Sequence, residues 1–176
     1  MTMMINNIVS YLDELFPNPK CELIFNKDYE LLIAVMLSAQ TTDKRVNEVT
    51  KILFSKYNNL EELSKADINV VMNILRPIGT FRKKAQNVIA ISKTLLNVNG
   101  IVPNDREFLE GLPGVGRKTT NVVLSILYNE KCIAVDTHVA RVSKRLGLAG
   151  KNDNVLEIEK KITKKFKGYN MSRIHH

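Results

Sequence analysis

Cysteine is scarce in this 176-residue chain: Cys21 and Cys132 stand alone, 111 positions apart. That spacing fits neither a metal knuckle nor a redox pair, and it excludes a disulfide scaffold or a cysteine-based metal site within the chain. Long apolar runs are also missing. The longest, Leu31 to Leu37, falls well short of the ~18 residues a membrane span requires. The opening Met1-Thr2-Met3-Met4-Ile5 has no basic stretch ahead of an apolar one, so no secretory signal is expected, and the cytosol is the expected home. Strand patterning is nearly absent: only Lys131 to Val135 reads as extended, and so short an apolar run cannot settle it. No low-complexity linker and no fixed-period repeat interrupts the chain. An apolar fraction of 44% excludes a disordered polymer, and the length suffices for one ordinary domain with a real core.

Charge is plentiful and unevenly placed. The chain carries a net +8, but residues 1–137 account for only +1 of it and residues 138–176 for +7. A single lysine is ordinarily a solvated helix face. A whole basic tail is the footprint of a polyanion-binding protein, with a membrane surface as the other candidate.

Helical periodicity dominates, predicting an all-α chain of roughly nine short helices. Tyr29 to Ala39 is almost continuously apolar, which predicts a helix buried on most sides, capped by a short polar side chain in Asn26-Lys27-Asp28. Val46, Val49, Ile52 and Leu53 give an amphipathic helix after Thr42-Asp43. Further starts read at Asn59, Asp67, Asp105 and Asn154, and Asn99-Gly100 closes a helix running from about Phe81 to Leu96.

The most informative stretch is Leu112-Pro113-Gly114-Val115-Gly116-Arg117-Lys118. Pro113 ends one helix, Gly114 and Gly116 permit positive φ and close approach by another backbone, and Arg117 opens the next helix. A turn of this kind with a helix start behind it makes a seat for a backbone phosphate, although a plain αα-hairpin has the same pattern. Lys118 lies in the first turn, where the helix N-terminus already carries partial positive charge and Arg117 adds more. A neutral lysine amine is a nucleophile that forms Schiff bases; the competing reading is a second phosphate contact, and local sequence leaves both open. Eighteen residues on, Asp136 follows Ile133-Ala134-Val135 and precedes a helix carrying Val139 and Val142. An aspartate there is a helix N-cap, which occupies one carboxylate oxygen and leaves the other for an amine or a developing cation. His138 reads as helix surface or a phosphate contact rather than a proton shuttle.

These stretches, with Phe25 to Asp43, Ile78-Gly79, Lys84-Ala85 and Val135-Asp136-Thr137-His138, occur in an order that resembles the endonuclease III family of helix-hairpin-helix DNA glycosylases. The resemblance covers nearly the whole chain. It implies the helix-hairpin-helix DNA glycosylase fold: two helical subdomains with the DNA-binding cleft between them. Residues 20–131 would form a helical barrel domain, with the helix-hairpin-helix motif at about 105–127. Residues 1–19 plus 132–176 would form a second, C-terminally incomplete helical domain.

The resemblance also implies excision of oxidised pyrimidines, followed by strand cleavage through β-elimination. Lys118 takes the position of the nucleophile that attacks the sugar C1′ and forms the Schiff base, and Asp136 that of the assisting carboxylate. Leu112, Gly114, Val115 and Gly116 would hold backbone phosphates. Gln40 matches the side chain that fills the gap left by an extruded nucleotide. Thr41, Thr80, Arg117, His138 and Arg141 complete the expected DNA-contacting set. The expected partner is double-stranded DNA bearing damaged bases or abasic sites, met by a monomer in a bacterial cytoplasm at the nucleoid, with no membrane involved.

Two departures from the family pattern stand out. The four cysteines of its [4Fe–4S] cluster are missing, so no cluster is expected in this chain, and apolar surface on residues 5–16 and 155–171 is expected to lie uncovered. Thr80 stands where a larger apolar wedge is usual, with Phe81 beside it as a candidate substitute. The competing reading is a catalytically impaired, truncated helix-hairpin-helix DNA-binding remnant. An adenine glycosylase of the mismatch-repair type is disfavoured by the presence of Lys118.

Overall fold

A computed structural model describes residues 2–175 as eleven helices, with no strand among them. The chain folds as two compact units, Glu22–Val123 and Met1–Cys21 with Leu124–His176. The second change of unit falls inside a helix, whereas the sequence reading divides the chain at 19/20 and at 131/132, in the loop that follows that helix.

The Glu22–Val123 unit is built on α2 (Asp28–Leu37), in which every residue from Tyr29 to Leu37 is buried. Its expected polar cap is not formed. Lys27 occupies the N-cap without a side-chain bond, and Oε2 of the buried Glu30 reaches back to accept from Asn26 N at 2.7 Å. α3 (Asp43–Lys56) and α6 (Phe81–Leu96) pack on α2, and α4 (Leu60–Ser64) and α5 (Ile68–Leu75) pack on α6. On α3, Ile52 is exposed rather than buried. Thr50 takes the inner position instead and satisfies its hydroxyl on Val46 O at 3.0 Å. Thr42, Asn59 and Asp67 cap α3, α4 and α5, each side chain accepting a first-turn N–H. The short α7 (Arg106–Glu110) is capped by Asp105, and α8 (Arg117–Tyr128) follows it across the hairpin.

The other unit contains α1 (Thr2–Leu15), α9 (Thr137–Arg145), α10 (Val155–Lys165) and α11 (Met171–His175). α1 and α11 bring the count above the nine helices that periodicity predicted. Lys131 to Val135 forms no strand: the chain bends at Lys131, and Ile133 and Val135 join a core with Ile5, Leu148, Ile158, Ile162, Phe166 and Met171. A reciprocal capping box between Asn154 and Glu157 starts α10. The uncovered surface expected on residues 5–16 and 155–171 is confined to Tyr11, Leu15, Phe16, Val155 and Leu156, while Ile5, Ile158, Ile162 and Phe166 are buried. Among the described residues no helix is long and apolar enough to cross a membrane.

This core predicts that the segment carrying Asp136 is folded in its own right. Hydrogen exchange should show strong protection for the amides of Ile158, Ile162 and Phe166, and exchange at unfolded-peptide rates would contradict the packing described. Phe166→Ala should destabilise by about 3–5 kcal/mol, the usual cost of emptying a buried aromatic site.

Candidate functional site

The turn between α7 and α8 has the geometry its residues dictate. Pro113 and Gly114 are its central pair, Val115 N donates to Leu112 O at 3.1 Å, and Gly114 has φ +79°, the arrangement of a type II turn. Leu112 and Val115 point inward and are buried, so anything this turn offers to a ligand comes from its backbone. Helix α8 then starts with Thr120 N on Gly116 O at 2.9 Å. Arg117 and Lys118 are exposed in its first turn, where the opening N–H groups of a helix have no intrahelical acceptor. The hairpin is braced from both sides: Arg106 on α7 donates to Glu110 Oε1 at 2.9 Å and to the buried Asn121 of α8 at 2.8 Å.

The two glycines differ, contrary to the expectation that both supply positive φ. Only Gly114 has it, and a Cβ there would lie 2.3 Å from Asn87 Nδ2 on α6, with Met36 of α2 behind. The close neighbour is therefore a side chain and not another backbone. Gly116 has an ordinary φ and open space where its Cβ would be.

Gln40 and Thr41 lie in the turn that follows α2, and Thr80 is the N-cap of α6. Among the described residues four non-glycine positions have positive φ: Asn99 and Asn129, which tolerate that conformation, and Gln40 and Thr80, both at +55°. For a β-branched threonine this is a real outlier, and such strain is concentrated at functional positions. Neither side chain is needed by the core, since both are exposed.

A residue that sequence reasoning noted but did not assign to the site holds this turn. Lys84, with only 5% of its surface exposed, extends from α6 to donate to Leu37 O and Ala39 O, each at 2.8 Å, and to Thr41 Oγ1 at 3.1 Å. It satisfies carbonyls at the C-terminal end of α2, where a cation is also favoured by the helix dipole. Burial pushes its ammonium below the usual lysine range. The signal was available in the sequence: Lys84 shares the helical face of Val88, Ile91 and Leu95, so a lone lysine sits on an apolar stripe.

Asp136, His138 and Arg141 belong to the other unit. Asp136 caps α9, its Oδ1 accepting from Val139 N at 2.8 Å. His138 and Arg141 are exposed one turn apart, with Arg141 Nη2 3.0 Å from His138 Nδ1. A guanidinium only donates, so Nδ1 is the acceptor in this contact.

Comparison with known proteins gives a consistent picture. Residues 33–168 match the model of the HhH-GPD superfamily of base excision DNA repair proteins. Endonuclease III of Bacillus subtilis (strain 168) is 45% identical over 94% of this chain and 76% of its own length. Endonuclease III of Buchnera aphidicola from Acyrthosiphon pisum is 48% identical over 89% of this chain and 75% of its own. Among solved structures, a trapped covalent endonuclease III–DNA intermediate superposes on all of this chain and 83% of its own, with a TM-score of 0.92 and 44% identity. A thermostable thymine-DNA glycosylase, at 20% identity and TM-score 0.81, shares the fold.

The packing under the hairpin generates a prediction. Gly114→Ala should destabilise by at least about 1–2 kcal/mol, the cost of a side chain in the left-handed region, with the Asn87 clash added. Asn87→Ala in the same chain should recover the clash part but not the backbone part. Denaturant melts of the two single variants and the double variant check this; additive losses would show that residues 87 and 114 do not meet.

Proposed function

The chain belongs to the HhH-GPD superfamily of base excision DNA repair proteins, and from that premise we propose that Lys118 and Asp136 carry its chemistry. It is a DNA glycosylase and abasic-site lyase, and its partner is DNA. The observation that carries the proposal is Lys118, exposed in the first turn of α8 behind a turn whose glycine the packing demands.

A base stacked in a duplex shields its sugar C1′ from a lysine, so the nucleotide must first leave the helix, at a cost of a few kcal/mol that is smallest for damaged or mispaired bases. Gln40 then fills the gap and offers its amide to the widowed base. Thr80 is the smaller side chain at the neighbouring wedge position. The backbone of Leu112 to Gly116 and the start of α8 hold a phosphate, with Gly116 leaving room for close approach. Arg117, Thr41, His138 and Arg141 add polar contacts to the same strand backbone. None of these reads sequence.

The unprotonated amine of Lys118 attacks C1′; the bond from C1′ to the base breaks and the base leaves with a proton. The sugar ring opens as the amine nitrogen becomes a C1′ iminium. That iminium acidifies C2′–H, whose loss expels the 3′ phosphate and cuts the strand. Water releases Lys118. Asp136 spends Oδ1 on the α9 cap, which leaves Oδ2 to accept the amine proton or to face the developing sugar cation. Oxidised pyrimidines are the proposed substrates and the bacterial nucleoid the proposed place of action.

A [4Fe–4S] cluster takes four thiolates. This chain has two cysteines, and among the described residues no three His, Cys, Asp or Glu side chains converge. The residues present do not fit that group, and no step above runs through it.

Borohydride reduction on duplex DNA with one abasic site tests the assignment. The parent chain should form a covalent adduct and Lys118→Ala none, while Lys118→Ala keeps most of its DNA binding; an adduct that persists in the variant would contradict it. Asp136→Asn keeps a cap and should slow base excision about 10²-fold, within the range of a lost proton acceptor. Asp136→Ala should in addition lose about 1 kcal/mol of stability. Affinity should fall linearly with salt on logarithmic axes as counterions are released. A parent chain that binds with this salt dependence yet never traps would retain the DNA grip alone.

A further inference from the structure

Among the described residues, Gln40 and Thr80 are the two that take a left-handed conformation without being glycine or asparagine, and one lysine bonds beside both. Lys84 N–H donates to Thr80 O at 3.1 Å, closing the first turn of α6, while Lys84 Nζ reaches Leu37 O, Ala39 O and Thr41 Oγ1. Its three acceptors bracket Gln40 on both sides. The remaining ties in that turn are local, among them Thr41 N on Ser38 O at 3.0 Å, Ser38 Oγ on Val35 O at 2.8 Å and Thr41 Oγ1 on Ala39 O at 3.4 Å. Gln40 is exposed, three residues beyond the end of a helix that has no solvent face from Tyr29 to Leu37.

A buried ammonium is a costly way to finish a helix, because its desolvation must be offset by well-placed acceptors. Here the acceptors are two carbonyls at and just past the end of α2 and the Thr41 hydroxyl. An apolar residue in the Val88, Ile91 and Leu95 stripe would pack as well but would take the donor from the buried bond to Leu37 O and leave Ala39 O only the long 3.4 Å bond from Thr41 Oγ1. The turn would then relax toward an ordinary conformation, and Gln40 would lose its strained φ.

We propose that Lys84 is a positioning residue for DNA repair: its ammonium holds the turn after α2 so that Gln40 is set, before DNA arrives, in the conformation from which its side chain enters the duplex. The proposal rests on the reading of Gln40 as the residue that occupies the gap. Lys84 touches neither the substrate sugar nor Lys118; it acts through the Gln40 turn. The left-handed conformation is then prepaid in the free protein, and duplex opening need not supply it.

The distinguishing readout is the strand state of the substrate. A single strand with an abasic site has no opposite base and no gap, so Gln40 has nothing to do there, while Lys118 chemistry is unchanged. Lys84→Met keeps an unbranched side chain, one atom shorter, and removes the donor. It should lower duplex excision about 10- to 100-fold, as misplacements of about 1 Å do, and leave lyase turnover on single-stranded abasic DNA at the parental rate. Gln40→Ala should lower duplex excision at least as much, and adding it to Lys84→Met should cost little more. Lys84→Arg, which restores donors, should recover part of the duplex rate.

Equal losses on both substrates would make Lys84 merely a folding residue and overturn the proposal. An unchanged duplex rate in Lys84→Met, with Gln40→Ala impaired, would overturn it while sparing the Gln40 reading. If Gln40→Ala is itself unimpaired, that reading fails and the proposal with it. Should Lys84→Met not fold, the parent chain still decides the geometry by nitrogen-15 NMR of lysine side chains. A protected Lys84 ammonium is expected, and one that exchanges like the surface lysines would overturn the proposal.

Discussion

The Glu22–Val123 unit depends on a helix with no face to water. Residues Tyr29 to Leu37 of α2 are all buried, so every side of the helix needs a neighbour and its ends need partners for their leftover backbone groups. Those needs shape the site. At the N-terminal end a buried carboxylate, Glu30, turns back to accept a backbone N–H just ahead of the helix. At the C-terminal end the carbonyls receive Lys84, and in the last turn Met36 lies beneath Gly114. The hairpin that leads to Lys118 and the turn that carries Gln40 are therefore mounted on the same buried rod. A small shift of α2 would disturb both, which is why the conformational outliers of this unit gather at its C-terminal end and at the start of α6, the helix that carries Lys84.

The second unit solves a different problem. The proposed role of Asp136 requires that it be held at a helix start without spending both oxygens on holding it. The buried run Ile133 to Val135 brings the chain up from the core, and one bond to Val139 N fixes the carboxylate. The segment's basic character does not come from this device. It comes from the lysines and arginines spread over α9, α10 and the residues around them, on a core that is complete enough to bury Phe166 and Ile162.

What could be read from the sequence was what acts over short spans. The Pro-Gly turn, the caps at Asn59, Asp67, Asp105, Asp136 and Asn154, and the continuous burial of α2 depend on residues within a few positions of one another. What could not be read depends on distant partners. Lys84 finds its acceptors 43 to 47 positions away, and the steric part of the need for glycine at 114 comes from Asn87, 27 positions back. Gly116 looked like a second conformational glycine but is free of both constraints, so its value lies in open surface. Ile52 and Thr50 exchanged places because a buried hydroxyl can be satisfied inside its own helix, which removes most of the penalty that periodicity assumes. The helix at each terminus escaped the periodicity reading, and its packing in the shared core came only from the fold.

The central claim is that one amine, on one turn of α8, does the covalent chemistry. The most direct measurement is peptide mapping by mass spectrometry of the borohydride-trapped adduct between the unmodified chain and abasic duplex DNA. The account predicts the mass of the sugar remnant on Lys118 alone. A remnant on any other lysine, whether in the basic tail or at Lys84, would contradict it.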